Sequence, residues 1–93
     1  MKELAIQRQI IEYYEALGAA CCKLQAVARR GWPDIIIVYK GNVIFVETKT
    51  TDGRVSKIQK YIHSKIRNSG GTVVVAVSLW ECLRKLETIN GEQ

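Results

Sequence analysis

Apolar positions recur along this chain with two periods, and each change of period marks an element. Leu4, Ile6, Ile10, Ile11, Tyr14 and Leu17 fall at helical spacing and Gly18 stops them, which predicts a first helix over about residues 2–17. Residues 21–28 are small and mixed apolar and read as a first strand, broken by Arg29-Arg30-Gly31-Trp32-Pro33. Pro33 suits the first position of the next strand, where no ladder donor is needed. Two β-branched runs, residues 34–39 and 43–49, are joined at Lys40-Gly41-Asn42. Gly41-Asn42 fits a two-residue type II′ hairpin turn with glycine first. After a polar loop at residues 50–54, a second helix starts near Val55 or Ser56 and stops at Gly70-Gly71. Ile58, Ile62 and Ile66 mark its buried stripe. Residues 72–77 form a near-continuous apolar strand of the kind buried on both faces. Ser78-Leu79-Trp80-Glu81 reads as a capping box opening a third helix through about Leu86, with a frayed end from Thr88.

The order α-β-β-β-α-β-α predicts an α/β fold. A hairpin, joined by a strand that arrives through a crossover helix, makes a mixed four-stranded sheet flanked by helices. No repeat, low-complexity tract or linker divides the chain, so residues 1–93 are read as a single domain. The composition is 47% hydrophobic and 25% charged, ordinary globular usage, so a real core is expected. No apolar run is long enough to span a bilayer, and Met1-Lys2-Glu3 leads directly into the amphipathic pattern. A soluble, cytoplasmic protein without a membrane partner is the expectation. Cys21, Cys22 and Cys82 form neither a disulfide framework nor a zinc spacing, and read as small apolar residues.

The chemistry gathers on the hairpin. Asp34 opens one apolar run and Glu47 closes the other, and a carboxylate at the edge of a buried strand is costly without a partner or a metal. With Gly41-Asn42 as the turn, Lys40 pairs with Val43, Asp34 lies opposite Lys49, and Glu47 is the diagonal neighbour of Asp34 on the same face. Two such carboxylates repel, and a hard cation such as Mg²⁺ removes that cost. Lys49 would orient a water or offset charge on a phosphate. The plainer alternative is a structural salt bridge between Asp34 and Lys49.

Gly31-x-Pro33-Asp34 followed by Val46-Glu47-x-Lys49 resembles the signature of PD-(D/E)XK nucleases, and of their VRR-NUC branch in particular. Ser56-x-x-Gln59 is similar to the helix that follows that family's active-site hairpin, and Gly70-Gly71-Thr72-Val73 to its final strand. The resemblance spans about residues 3–86. It implies a restriction-endonuclease-like core and Mg²⁺- or Mn²⁺-dependent hydrolysis of DNA phosphodiesters. It makes Asp34 and Glu47 metal ligands, Lys49 the catalytic lysine and Gln59 a group that holds water or neighbouring side chains. Glu3 matches the family's helix-1 acid, with Glu12 as its rival. Compact stand-alone members, often from phages and bacteria, are similar to Holliday-junction resolvases. The resemblance therefore implies a structure-selective endonuclease acting on branched DNA as a homodimer.

Net charge is +5, which suits a polyanionic partner. Arg29 and Arg30 border Asp34, and Lys57, Lys60 and Arg67 recur on one face of the second helix, so these five are the candidates for backbone phosphate contacts. His63 reads as an edge residue of that helix, and Trp32 and Trp80 as packing residues. Leu79, Trp80, Leu83 and Leu86 on helix 3, or apolar residues of helix 1, could supply a dimer interface. Two other readings stay open: a non-catalytic nucleic-acid-binding module, and a nuclease subunit that depends on a helicase or other protein partner.

Overall fold

The computed structural model of the chain describes residues 2–24 and 29–90, the side chains of 88–90 excepted. Helix α1 (Glu3–Ala16) leads into strand β1 (Ala20–Lys23), then β2 (Ile35–Tyr39) and β3 (Asn42–Thr48). Helix α2 (Lys57–Asn68), strand β4 (Thr72–Ala76) and helix α3 (Leu79–Asn90) complete the order. The strands lie side by side as β1-β2-β3-β4, with β1, β2 and β3 antiparallel and β4 parallel to β3. This is the α/β arrangement that the periodicity predicts. Part of the first predicted strand, residues 25–28, lies outside the described residues. The three cysteines are free, Cys82 buried and Cys22 exposed. No described helix is long and apolar enough to cross a membrane.

Strand alternation divides the side chains between two layers. Ile35, Ile37, Ile44, Val46, Val74 and Ala76 pack with Ile6, Ile10 and Tyr14 of α1 and with Cys82 and Leu86 of α3. The opposite face carries α2. There His63 and Ile66 are buried, while Ile58 at 37% exposure and the partly buried Ile62 sit at the margin. Leu79 and Leu83 lean on the chain's own core beside Leu86, so of the four apolar α3 residues expected at an interface only Trp80 is left exposed, at 72%. Helix α3 also continues past Thr88 to Asn90, because no glycine or proline stops it before Gly91. At its start Ser78 Oγ accepts from the Glu81 N–H, but the Glu81 carboxylate takes the Val77 N–H, so the box closes one residue early.

The hairpin turn differs from expectation. Lys40 and Gly41 both have positive φ, 49° and 81°, the requirement of a type I′ turn, and Tyr39 pairs with Asn42. Type I′ twist matches that of the flanking strands. It moves the turn back by one residue, at a cost of about 1 kcal/mol for a left-handed lysine. The register therefore shifts by two: Val38 pairs with Val43 and Ile35 with Val46. Extended by one step, Asp34 lies opposite Glu47 rather than opposite Lys49. Because the side-chain period is two, the shift leaves the faces of the paired residues unchanged, while Asp34 itself lies just beyond them.

Gly31 fixes the approach of α2 to the sheet. Its φ is 93°, and a Cβ there would meet Ile58 Cγ1 and Ile62 Cγ1 at 2.9 Å and the Ile58 carbonyl at 3.0 Å. Gly18 has a similar φ of 95° with nothing within 4 Å. Gly31→Ala is expected to cost about 2–4 kcal/mol, backbone strain plus overpacking against α2, and Gly18→Ala only about 1 kcal/mol. Urea unfolding of the two variants separates packing from backbone; equal losses would show that α2 does not rest on Gly31.

Candidate active site

The site is built where β2 and β3 reach the end of their ladder and α2 begins. Asp34 sits just before β2, anchored by its N–H to the Val46 carbonyl at 3.0 Å and by its own carbonyl, which accepts from the Leu24 N–H at 2.8 Å. Its Oδ2 accepts two bonds of 2.8 Å, from the Thr48 N–H and the Thr48 hydroxyl. The hydroxyl's one proton goes to that carboxylate, so it can only accept from Gln7, whose Nε2 lies 3.1 Å away. Gln7 is 1% exposed, and its Oε1 is left without a partner.

Glu47 points the other way, toward α2, and is 2% exposed. Its Oε2 accepts from Gln59 Nε2 at 3.1 Å and lies 3.6 Å from Lys49 Nζ. Gln59 also closes the N-terminal capping box of α2: its Oε1 accepts from the Ser56 N–H, and its own N–H donates to Ser56 Oγ. One side chain thus fixes both the start of the helix and the rotamer of the acid. Glu47 Oε1 is buried, has no hydrogen-bond donor, and faces His63 Nε2 at 3.8 Å.

Burial is the main cause that pushes the Glu47 carboxyl up to about 7, reinforced by the negative charge of Asp34 and opposed by Lys49. Burial and the cations Arg67 and Lys49 hold His63 below its ordinary value. Both groups are therefore driven toward their neutral forms where they face each other at 3.8 Å. The buried pair differs from the expectation that His63 is an edge residue. The helix-stripe argument missed it because α2 presents His63 and Ile66, one turn apart, to the sheet.

The other candidates separate clearly. Lys49 joins Glu47, not Asp34, because of the two-residue register shift. Glu3 is felt at Glu47 as a weak negative charge, whereas Glu12 is exposed on α1. Among the described residues, no three of His, Cys, Asp or Glu gather closely enough to hold a metal, so Glu3 stands apart from the Asp34–Glu47 pair. Arg29, Arg30, Lys57 and Lys60 are exposed. Arg67 donates from Nη2 to the Val73 carbonyl at 2.9 Å, which ties α2 to β4 and diverts it from a purely phosphate-facing role. The sequence motifs did not point to Gln7 or to the Thr48 hydroxyl. Gln7 had a signal: it is a polar residue at position i+1 and i−3 of Ile6 and Ile10, inside the apolar stripe of α1.

Two outcomes follow from this geometry. The folded pKa of Glu47 lies above its unfolded value, so the folded state binds the extra proton between pH 4.5 and about 7. Stability is then present at low pH and falls as pH rises through that window, by on the order of 3 kcal/mol. His63, held low, contributes the opposite slope, losing stability as pH falls below about 6.5. Denaturant titrations in EDTA should show the Glu47→Gln variant free of the first slope and gaining on wild type as pH rises. Thr48→Val removes the hydroxyl donor to Asp34, leaving the Thr48 N–H bond, and removes the hydrogen-bond partner of buried Gln7; it should cost about 2 kcal/mol in the same measurement.

No protein-family model and no curated protein matches the sequence. Among solved structures, a chain described as a VRR_NUC domain is similar to this one with a TM-score of 0.79 and 30% sequence identity. The match covers 91% of this chain and 94% of that one, so it relates whole domains rather than a shared sheet. Together with the G-x-P-D, E-x-K and S-x-x-Q motifs placed around one strand end, that likeness shows that the chain belongs to the VRR-NUC family.

Proposed function

We propose that this nuclease-fold domain is a Mg²⁺- or Mn²⁺-dependent DNA endonuclease, active as a homodimer on branched substrates such as four-way junctions. The observation that carries the reading is Glu47: a carboxylate sealed at a strand end beside Asp34, with one oxygen unpartnered and its pKa near 7. Lys49 pairs with Oε2 at 3.6 Å, and Oε1 is left without a hydrogen-bond donor. The donor set fits a hard divalent cation, which takes a few carboxylate oxygens and fills its remaining positions with water and phosphate oxygens. Asp34 and Glu47 would hold the ion, with Glu3 acting at most through water. Both hydrogen bonds to Asp34 fall on Oδ2 and leave Oδ1 outside them. Once bound, the ion would supply Lewis acidity toward a phosphoryl oxygen and an acidified water.

The chain's own groups divide the remaining work. Thr48 and Gln7 orient Asp34, and Gln59 orients Glu47. Lys49, 14% exposed and 3.6 Å from Glu47 Oε2, is the cation placed to act on the scissile phosphate or its attacking water. Arg29, Arg30, Lys57 and Lys60 bind the backbone without reading sequence. One active site on a 93-residue unit leaves little surface for a branched substrate, and a two-fold dimer would set paired nicks.

A cleavage panel of duplex, flap and four-way-junction DNA with Mg²⁺ or Mn²⁺, run beside a solution mass measurement, tests the reading. Junction nicking by a species of twice the chain mass is expected. Asp34→Ala and Glu47→Ala should lose calorimetric Mn²⁺ binding and cleavage together. Lys49→Ala should keep Mn²⁺ binding and lose turnover by about 10²-fold or more. Wild type that cleaves none of these DNAs overturns the proposal, and a Lys49→Ala variant with normal turnover returns Lys49 to a structural role.

A further inference from the structure

Beside the carboxylates, the α2 face of the sheet carries a groove of about 650 Å³ whose walls include Arg29, Arg30, Trp32, Phe45, Tyr61 and Lys65. Its aromatic rings are not used up by the core. Tyr61 is 58% and Trp32 37% exposed, and Trp32 meets Phe45 edge-on at 5.8 Å, which leaves ring surface toward the groove. Lys65 Nζ stands 5.5 Å from the Tyr61 ring centroid, and Arg29 and Arg30 also line the groove. Exposed aromatic faces interleaved with cations suit one ligand chemistry: a flat π-system joined to negative charge. A nucleobase on its phosphodiester backbone has both parts.

The position is specific as well. Trp32 precedes Asp34 by two residues and Phe45 precedes Glu47 by two, so each carboxylate has an aromatic neighbour on the same chain segment. Along β3 that step is about 7 Å on one face. A strand whose phosphate reaches Asp34 and Glu47 would bring an adjacent nucleotide to the groove. A base stacked on these rings must leave its own duplex stack.

We infer that this groove is a subsite for an unpaired nucleotide, its base stacked on Tyr61 and Trp32 and its backbone held by Arg29, Arg30 and Lys65. The inference rests on the reading of the protein as one that acts on DNA, and it deepens that reading: selectivity for branched DNA arises because the strand next to the cut must be unstacked. Stacking tolerates any base, so the subsite confers structure preference without sequence preference.

The test uses fluorescence anisotropy in EDTA, which needs no cleavage, with a labelled oligothymidylate and a strand of equal length bearing abasic sites. Wild type should bind the intact strand about ten-fold more tightly than the abasic one. Tyr61→Ala should abolish that preference, and Tyr61→Phe should keep it, since the ring and not the hydroxyl is required. Lys65→Ala should weaken both strands alike and reduce the salt dependence. Trp32 also packs on Phe45, so the exposed Tyr61 carries the decision. Equal binding of both strands by wild type, no binding at all, or an unchanged preference in Tyr61→Ala overturns the subsite. Junction cleavage with no base preference leaves the nuclease reading standing without the groove. A Tyr61-dependent preference in a chain that cleaves no DNA leaves the groove standing without the nuclease.

Discussion

The arrangement depends on keeping one acid, Glu47, at the buried end of β3. Its carboxylate has lost nearly all its water, faces the negative charge of Asp34, and receives only one amide hydrogen bond and a cation at 3.6 Å. Isolated, a group in such a place neutralises. Every neighbouring feature either limits that cost or makes use of it: the cap residue that reaches back to it, the lysine two positions on, and the histidine left neutral across from it.

The strand end is held from both layers at once. Alternation sends Glu47 toward α2 and Thr48 toward α1, and each is met by a glutamine, Gln59 from one helix and Gln7 from the other. Through Thr48 the α1 contact is relayed to Asp34. The two acids are thus positioned by different helices on opposite faces of one sheet, so their spacing reports how both layers pack. Gly31 adds a steric constraint, since α2 rests directly against it. A shift of α2 would move Gln59, and with it Glu47.

Unsatisfied buried polar atoms among the described residues gather around this strand end. Gln7 Oε1 on the α1 side and Glu47 Oε1 and His63 Nε2 on the α2 side are buried without hydrogen-bond partners, while the rest of the α1–α3 layer is filled by Ile, Val, Tyr, Cys and Leu side chains. That contrast is the pattern of a well-packed layer supporting a destabilised site. The aromatic groove extends the same face and is lined by the exposed Arg29 and Arg30.

Much of this was legible along the chain. The changes of period located all seven elements, and the motif around Asp34, Glu47 and Lys49 placed the site at the open end of a hairpin. A pairing shift of two residues brought Ile35 opposite Val46, so that Asp34, at the strand end, bonds Thr48 while Lys49 turns to Glu47. Which neighbours close around the acids was not readable. Gln7 and His63 reach them only when two helices dock on opposite faces of the sheet, and Arg67 turns to the Val73 carbonyl only once α2 lies beside β4. Sequence by itself determined the elements, their order and the residue types of the site, since these follow from local periodicity and chemistry. Tertiary structure alone decided register, burial and protonation, because each depends on distances between segments far apart in the chain.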